Sequence, residues 1–477
     1  MSFINKYKYY LLAVFFTLVG AAIYFVAAEK VATKKAGVVI EKENDLIRIK
    51  NSGVLKAVVD YNSTNYFVYR GKPMGFKYEL LQELAKKLGV KLEISVSNHL
   101  NETFAGLKNG RFDVVAKSLT VTKERNKEID FTALILQTRQ VLVQRKRQNP
   151  PADSIYIENT LQLAGKKIYV QKNTSYFKRL QNLSEEIGAD ITIVEDSVSG
   201  VEQLVSKVAK GEIDYTVCDE NIAKLNKTYY PNIDVSMAIS FKQNIAWAVR
   251  KGSTEWKNYL DNWIVDFKKT RKYKYLYHKY FESSRIAARV GDELYSIKSG
   301  KISKYDKIVK RIAQANQWDW RLISAIIYQE SRFNAEAGSW AGAYGLMQIM
   351  PSTAKRFGVD DIRNPEQNIK GGVLFLNWLN KQFVNSIPDS TQRIKFVLAS
   401  YNIGLGHVMD AQRLAEKYGK NPSVWDNNVD NLLLKKSVEL YYKDPVVRFG
   451  YCRGEEAYNY VSRVLTTYRH YLNVIPK

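Results

Sequence analysis

At about Ser303 the chain changes texture so completely that one fold cannot carry both halves. Before that point short β-rich runs alternate with amphipathic stretches. After it, apolar residues recur only at helical spacing and strand alternation disappears. A length of 477 residues also exceeds what one ordinary core organises. The expected fold class is therefore multidomain, with an α/β part followed by a mainly α domain.

In the first part, LKAVVDY (Leu55–Tyr61) reads as a strand and YELLQELAKKLGV (Tyr78–Val90) as an amphipathic helix ending near Gly89. KLEISV (Lys91–Val96) reads as the next strand. A second set follows with KKIYVQ (Lys166–Gln171), DITIVE (Asp190–Glu195), a helix over Val201–Lys210, and DYTVCD (Asp214–Asp219). Two α/β sets in succession imply two lobes with a cleft between them. In the last part, helical spacing runs through KYDKIVKRIAQANQWDWRLISAIIYQESRF, then around Gly371–Phe383, Gln392–Asn402 and Ala457–Tyr471.

The start of the chain bears on its surroundings. After Lys6 and Lys8, the uncharged run Tyr9–Ala28 ends in small residues and then breaks into EKVATKK. It suits a cleaved leader, and it is long enough to span about 30 Å of bilayer as an anchor. Either way the rest is expected to be exported. Lys+Arg 72 against Asp+Glu 48 gives a formal charge of +24, which asks for anionic surroundings. Export favours a cell-envelope polymer or anionic lipid over nucleic acid. Cys218 and Cys452 stand far apart and four histidines are few, so neither a metal nor a cofactor is expected, and no disulfide.

SLTVTKERNKEIDFT (Ser118–Thr132), with GFKYELLQELAKKLG before it, resembles the amino-acid-type periplasmic solute-binding proteins, whose architecture is the type 2 periplasmic-binding fold. The resemblance covers about Asn51–Glu282. It implies that Ser118, Thr120 and Arg125 hold a ligand carboxylate and that Asp219 holds its ammonium group. A guanidinium grips a carboxylate bidentately, which makes such a role chemically sensible. The residues also admit plainer readings: Arg125 as a surface ion pair with Glu124 or Glu128, and Asp219 as the N-cap of ENIAKLN. Lys117 adds a cation beside the expected carboxylate site.

YQESRFNAEAGSWAGAYGLMQIMP (Tyr328–Pro351) places one acid, Glu330, at the end of an apolar run and a glycine-rich segment after it. With Ser400-Tyr401-Asn402-Ile403-Gly404 and Glu456-Ala457-Tyr458-Asn459-Tyr460-Val461 in the same order, it resembles the family-1 lytic transglycosylases, relatives of goose-type lysozyme. Ser400 and Ala457 depart from the family pattern; Glu330 does not. The resemblance implies that Glu330 is the catalytic acid and that Tyr401 hydrogen-bonds it. Ser339, Gln348, Met350 and Asn402 would line the sugar groove, with Tyr460 near the acid. Ordinary glycosidases use two carboxylates, but substrate-assisted ones use one. N-acetylmuramic acid carries its own 2-acetamido carbonyl, so a single protein acid suffices.

The expected organisation is a leader or anchor over residues 1–30 and a linker over 31–50. A solute-binding-like domain over 51–282, a second linker over 283–300 and a transglycosylase domain over 301–477 follow. Peptidoglycan glycan strands are the expected substrate, with free amino acids or wall peptides in the cleft. The expected location is the periplasm in association with a membrane, the outer one by resemblance. Two rivals stay open: a hydrolytic muramidase on the same fold, and a non-catalytic binding or sensory protein attached to the wall.

Overall fold

The computed structural model describes residues 44–97, 99–147, 156–283 and 300–475. The run Tyr9–Ala28 lies outside the described residues, as does residues 284–299 of the second linker. Among those described, no helix is long and apolar enough to cross a membrane.

Within the stretch read as the first linker, Asp45–Ser52 is helical and closes on Gly53 in the left-handed region (φ 65°). Asp45 fastens this helix to the α/β domain by accepting from Arg250 and from the Ser253 hydroxyl. Strands β1 (Val54–Val59), β2 (Phe67–Tyr69), β3 (Lys72–Met74), β4 (Lys91–Val96), β5 (Val114–Thr120) and β6 (Ile129–Thr138) follow. The second lobe adds β7 (Gln140–Arg145), β8 (Lys167–Gln171), β9 (Thr192–Asp196), β10 (Tyr215–Asp219) and β11 (Ile233–Asp234), before β12 (Gln243–Arg250). β2 and β3 form a separate hairpin.

The two large sheets have the orders β4-β1-β5-β12-β6 and β11-β7-β10-β8-β9. β1 runs parallel to β4 and β5, and β8 parallel to β9 and β10, so crossover helices must connect them. Phe76–Leu88 is one such helix; Leu80, Leu81 and Leu84 face inward while Lys86 and Lys87 stay exposed near its end. β12 returns from the second lobe and inserts antiparallel between β5 and β6. The chain therefore crosses between lobes twice. Asp60 after β1, Thr120 ending β5 and Gln171 ending β8 come together at the strands' carboxyl ends, where open α/β sheets bind ligands.

The remaining part is helical, with Asp306–Ala315, Trp320–Ser331, Pro365–Phe383, Ser390–Ile403, Leu405–Lys417 and Gly454–Val474 as its longer elements. Trp320–Ser331 begins at Asp319, whose carboxylate accepts from the Arg321 amide at 2.9 Å, and it is buried continuously from Arg321 to Ile327. Each Leu or Ile so buried is worth roughly 1.5–3 kcal/mol. That burial fixes the helix firmly enough to hold a carboxylate at its far end.

Gly454–Val474 packs on both Trp320–Ser331 and the first lobe, which makes one continuous apolar core of the two domains. At this junction the Tyr66 hydroxyl and His470 Nδ1 lie 2.6 Å apart, Tyr471 donates to Gly71 O at 2.9 Å, and Asn473 donates to Ile94 O at 2.7 Å. Burial pushes the His470 imidazole down to about 3, so it is neutral in the junction.

Candidate functional site: a single buried acid and a two-lobed cleft

Glu330 is one residue from the end of Trp320–Ser331, and the chain leaves that helix through Arg332 and Phe333, both with positive φ (51° and 63°). The turn lets the loop fold back over the helix end. Tyr460, on Gly454–Val474, donates to Glu330 Oε1 at 2.6 Å. Burial pushes the carboxyl up to about 7, against this hydrogen bond, which favours the ionised form. Among the described residues no second carboxylate perturbs it. The result is a lone acid poised to carry a proton near neutral pH.

The glycine-rich segment forms a tight hairpin beside it. Tyr344 and Ile349 exchange two backbone hydrogen bonds of 3.1 Å, with Gly345 (φ 81°) and Gln348 (φ 48°) supplying the turn. Asn368 clamps the turn from Pro365–Phe383: its amide nitrogen donates to Tyr344 O at 2.9 Å and its oxygen accepts from Met347 N at 2.8 Å. A side chain at Gly345 would drive into Asn368, so that position requires glycine on two counts. Ser331 ties the helix end to the same turn through Leu346 O at 2.9 Å.

The structure distributes the remaining expected residues unevenly. Tyr401 does not bond Glu330; it donates to Met347 O at 2.7 Å. A phenol has one proton to give, and the loop carbonyl takes it. Tyr460 makes the bond expected of Tyr401. Gln348 has its amide nitrogen committed to Ala337 O at 2.8 Å and Gly345 O at 2.9 Å, so it holds the loop in shape. Ser339 accepts from Ala343 N at 3.0 Å at an exposed turn, Met350 is exposed at the start of Pro351–Arg356, and Asn402 is exposed. Trp340, beside Ser339, is fully exposed and was not singled out by sequence; its lack of any helical or strand register is why.

In the α/β half, the cleft is a cavity of about 120 Å³ whose wall includes Asp60, Lys117, Ser118, Thr120, Arg125 and Glu202. The lobes meet across it: the Thr120 and Ser175 hydroxyls lie 3.1 Å apart, and Glu202 accepts from Ser63 N at 3.0 Å and from its hydroxyl. Arg125 makes neither plain ion pair. It donates to Thr120 O at 3.0 Å, while Glu128 pairs with Lys108 at 2.8 Å. Asp219 stands at the N-cap of Glu220–Tyr229 but makes no capping bond. Its carboxylate is off the cavity wall, with Oδ1 buried and unbonded, and burial pushes it up to about 7. Tyr176 lines the cavity and Asp219 does not, so Asp219 is set back from the other residues expected to hold a ligand.

Known proteins match both halves. The model of bacterial extracellular solute-binding proteins, family 3, matches residues 55–283, and that of the transglycosylase SLT domain matches residues 307–424. A protein of Desulfosudis oleivorans named membrane-bound lytic murein transglycosylase F is 35% identical over 428 residues, covering 89% of this chain and 91% of its own. The chain belongs to the membrane-bound lytic murein transglycosylase F family. A Photobacterium profundum protein of the same name is 34% identical over 441 residues, covering 90% of this chain and 82% of its own. The chain is thus a lytic murein transglycosylase with an amino-acid-binding-like domain in front. A solved structure of the P235GK mutant of ArgBP from T. maritima also matches, at 25% identity and TM-score 0.44, over 50% of this chain and 100% of its own. Tyr460 falls beyond the residues matched by the SLT model; the sequence places it near the acid, and its hydrogen bond to Glu330 is seen in the fold.

Proposed function

We propose that the enzyme cleaves the β-1,4 bond between N-acetylmuramic acid and N-acetylglucosamine in peptidoglycan strands, closing the muramoyl C6 hydroxyl onto C1. The observation that carries this reading is the lone carboxyl of Glu330, raised to about 7 with Tyr460 on Oε1. Glu330 protonates the glycosidic oxygen as the bond to C1 breaks. The substrate's own acetamido carbonyl stabilises the cationic C1, standing in for the missing second carboxylate. The carboxylate then takes the C6 hydroxyl proton as that oxygen attacks C1, which restores the acid and leaves a 1,6-anhydro end.

Tyr460 is the catalytic partner of the acid in this scheme, and Tyr401 positions the loop that carries Gln348 and Met350. Ser339, Asn402 and the exposed Trp340 supply the sugar-facing surface. The name of the relatives and the run Tyr9–Ala28 support attachment to a membrane on its periplasmic side.

The cleft of the α/β domain binds amino acids or wall peptides, through Arg125, Ser118 and Thr120, and reports their presence to the acid. Its supporting contact is the β2–β3 hairpin: a side chain at Gly71 would lie 2.6 Å from Phe333, 2.9 Å from Tyr328 and 2.8 Å from the Tyr471 hydroxyl. Tyr328 and Phe333 flank Glu330 in sequence. The test of the catalytic reading is Glu330→Gln: release of soluble fragments from purified sacculi should fall by about 10²–10⁴-fold. Turnover within a few-fold of wild type would reject it.

A further inference from the structure

Two lysines are buried at the cleft, where an amino-acid site needs few cations. Lys117, almost wholly buried, lines the cavity and lies 3.5 Å from Asp60, with its ammonium also donating to Ser97 O at 2.5 Å. Lys77, on Phe76–Leu88, is equally buried one layer back and donates to the Ser118 hydroxyl at 2.8 Å. Both ammonium groups lean on Asp60, Lys77 also on Asp219 and Lys117 also on Glu102, and the two lysines repel each other. Arg125 is a third cation on the wall; it donates to Thr120 O and makes no ion pair within 4 Å among the described residues.

The acids do not balance them within the cavity. Glu202 is spent on Ser63 across the lobes, and Asp219 is off the cavity wall. On the cavity wall Asp60 is the acid that serves both lysines; Asp219 and Glu102 act on them from off that wall. A ligand's α-carboxylate answers Arg125, and its ammonium competes for Asp60, which leaves Lys117 short of an anion. Burying an ammonium without a counter-charge is costly, so a second carboxylate on the ligand is stabilised there. A cationic side chain would meet an acid already engaged and two like charges instead.

We infer that this cleft selects an amino acid with an acidic side chain, and that Lys117 is the residue that sets the choice. This rests on the reading of the cleft as an amino-acid site. The net positive charge of the chain is general, whereas Lys117 is a buried lysine on the cavity wall itself, where it meets a ligand side chain.

The test is calorimetric titration of the full chain with glutamate of either hand, glutamine, arginine and a wall stem peptide containing glutamate. Glutamate should bind at least about tenfold tighter than glutamine, its neutral isostere, and arginine should not compete. Lys117→Met keeps the apolar stem and removes the charge, and it should erase the difference between glutamate and glutamine. The wild-type comparison stands alone should that variant not fold. Glutamine binding as tightly as glutamate, arginine binding tighter, or Lys117→Met keeping the preference would each overturn the inference. Stem peptide binding tighter than free glutamate assigns the acidic group to wall fragments and supports it. A folded chain that binds none of the panel removes the amino-acid reading of the cleft itself, and the selectivity with it.

Discussion

Replacing Tyr460 by Phe isolates the one hydrogen bond made to the catalytic acid. Its hydroxyl donates to Glu330 Oε1 at 2.6 Å and favours the carboxylate, whereas burial favours the acid, and the balance stands at about 7. A hydrogen bond to a charged group contributes about 1.5–3 kcal/mol, and one pKa unit corresponds to about 1.4 kcal/mol. Removing the hydroxyl therefore raises the Glu330 pKa by about one to two units. Because Glu330 acts first as an acid, the alkaline limb of the kcat/KM profile should move up by that amount, while the rate below the limb falls. The assay is fragment release from purified sacculi over about pH 5 to about pH 10, with Tyr460→Phe and wild type compared at each point. A limb that stays in place while the rate falls at every pH would reduce Tyr460 to packing. A limb that moves down would refute the electrostatic account outright.

Tyr401→Phe provides the contrast: it deprives Met347 O of its donor, so it should lower turnover and stability by about 1–3 kcal/mol without moving the alkaline limb. Thermal melts and the same pH series check this. Glu330 itself should cost stability, since its folded pKa of about 7 lies above the ordinary 4.5. Stability it contributes is intact below about pH 4 and is lost as pH rises towards 7, so Glu330→Gln should be more stable by about 3 kcal/mol at about pH 8 and by nothing at about pH 4. Denaturant unfolding at both pH values decides it. Gly71→Val puts a side chain against Tyr328, Phe333 and Tyr471 at a φ of 75°, and should cost about 1–3 kcal/mol and depress wall cleavage even though Gly71 is in the other domain. Unchanged cleavage with a normal melt would cut the link between hairpin and acid.

Much of the fold was legible because its signals are local. β4 coincides with KLEISV, and Val201–Lys210 is the helix that the spacing of Leu204, Val205 and Val208 marks. β12 was not, since nothing in QNIAWAVR tells that it returns from one lobe to pair inside the sheet of the other. Glu330 could be found because a family pattern surrounds it. The exchange of roles between Tyr401 and Tyr460 could not, as it depends on which acceptor each hydroxyl meets in three dimensions. Gln348 reads as a sugar contact, and the bonds of its amide nitrogen to Ala337 and Gly345, which hold the loop, are seen only in the fold. Asp219 carries the same lesson: its place at the end of β10 is readable, but its position off the cavity wall that Tyr176 lines is not.

The most direct test of a single-acid, substrate-closing mechanism is the mass of the products formed from purified sacculi in water enriched in heavy oxygen. Closure of the C6 hydroxyl onto C1 consumes no water, so every new muramoyl end should be the 1,6-anhydro form and carry no heavy oxygen. New reducing ends bearing one heavy oxygen each, formed by wild type and lost with Glu330→Gln, would show that the same acid hydrolyses the strand and would contradict the account.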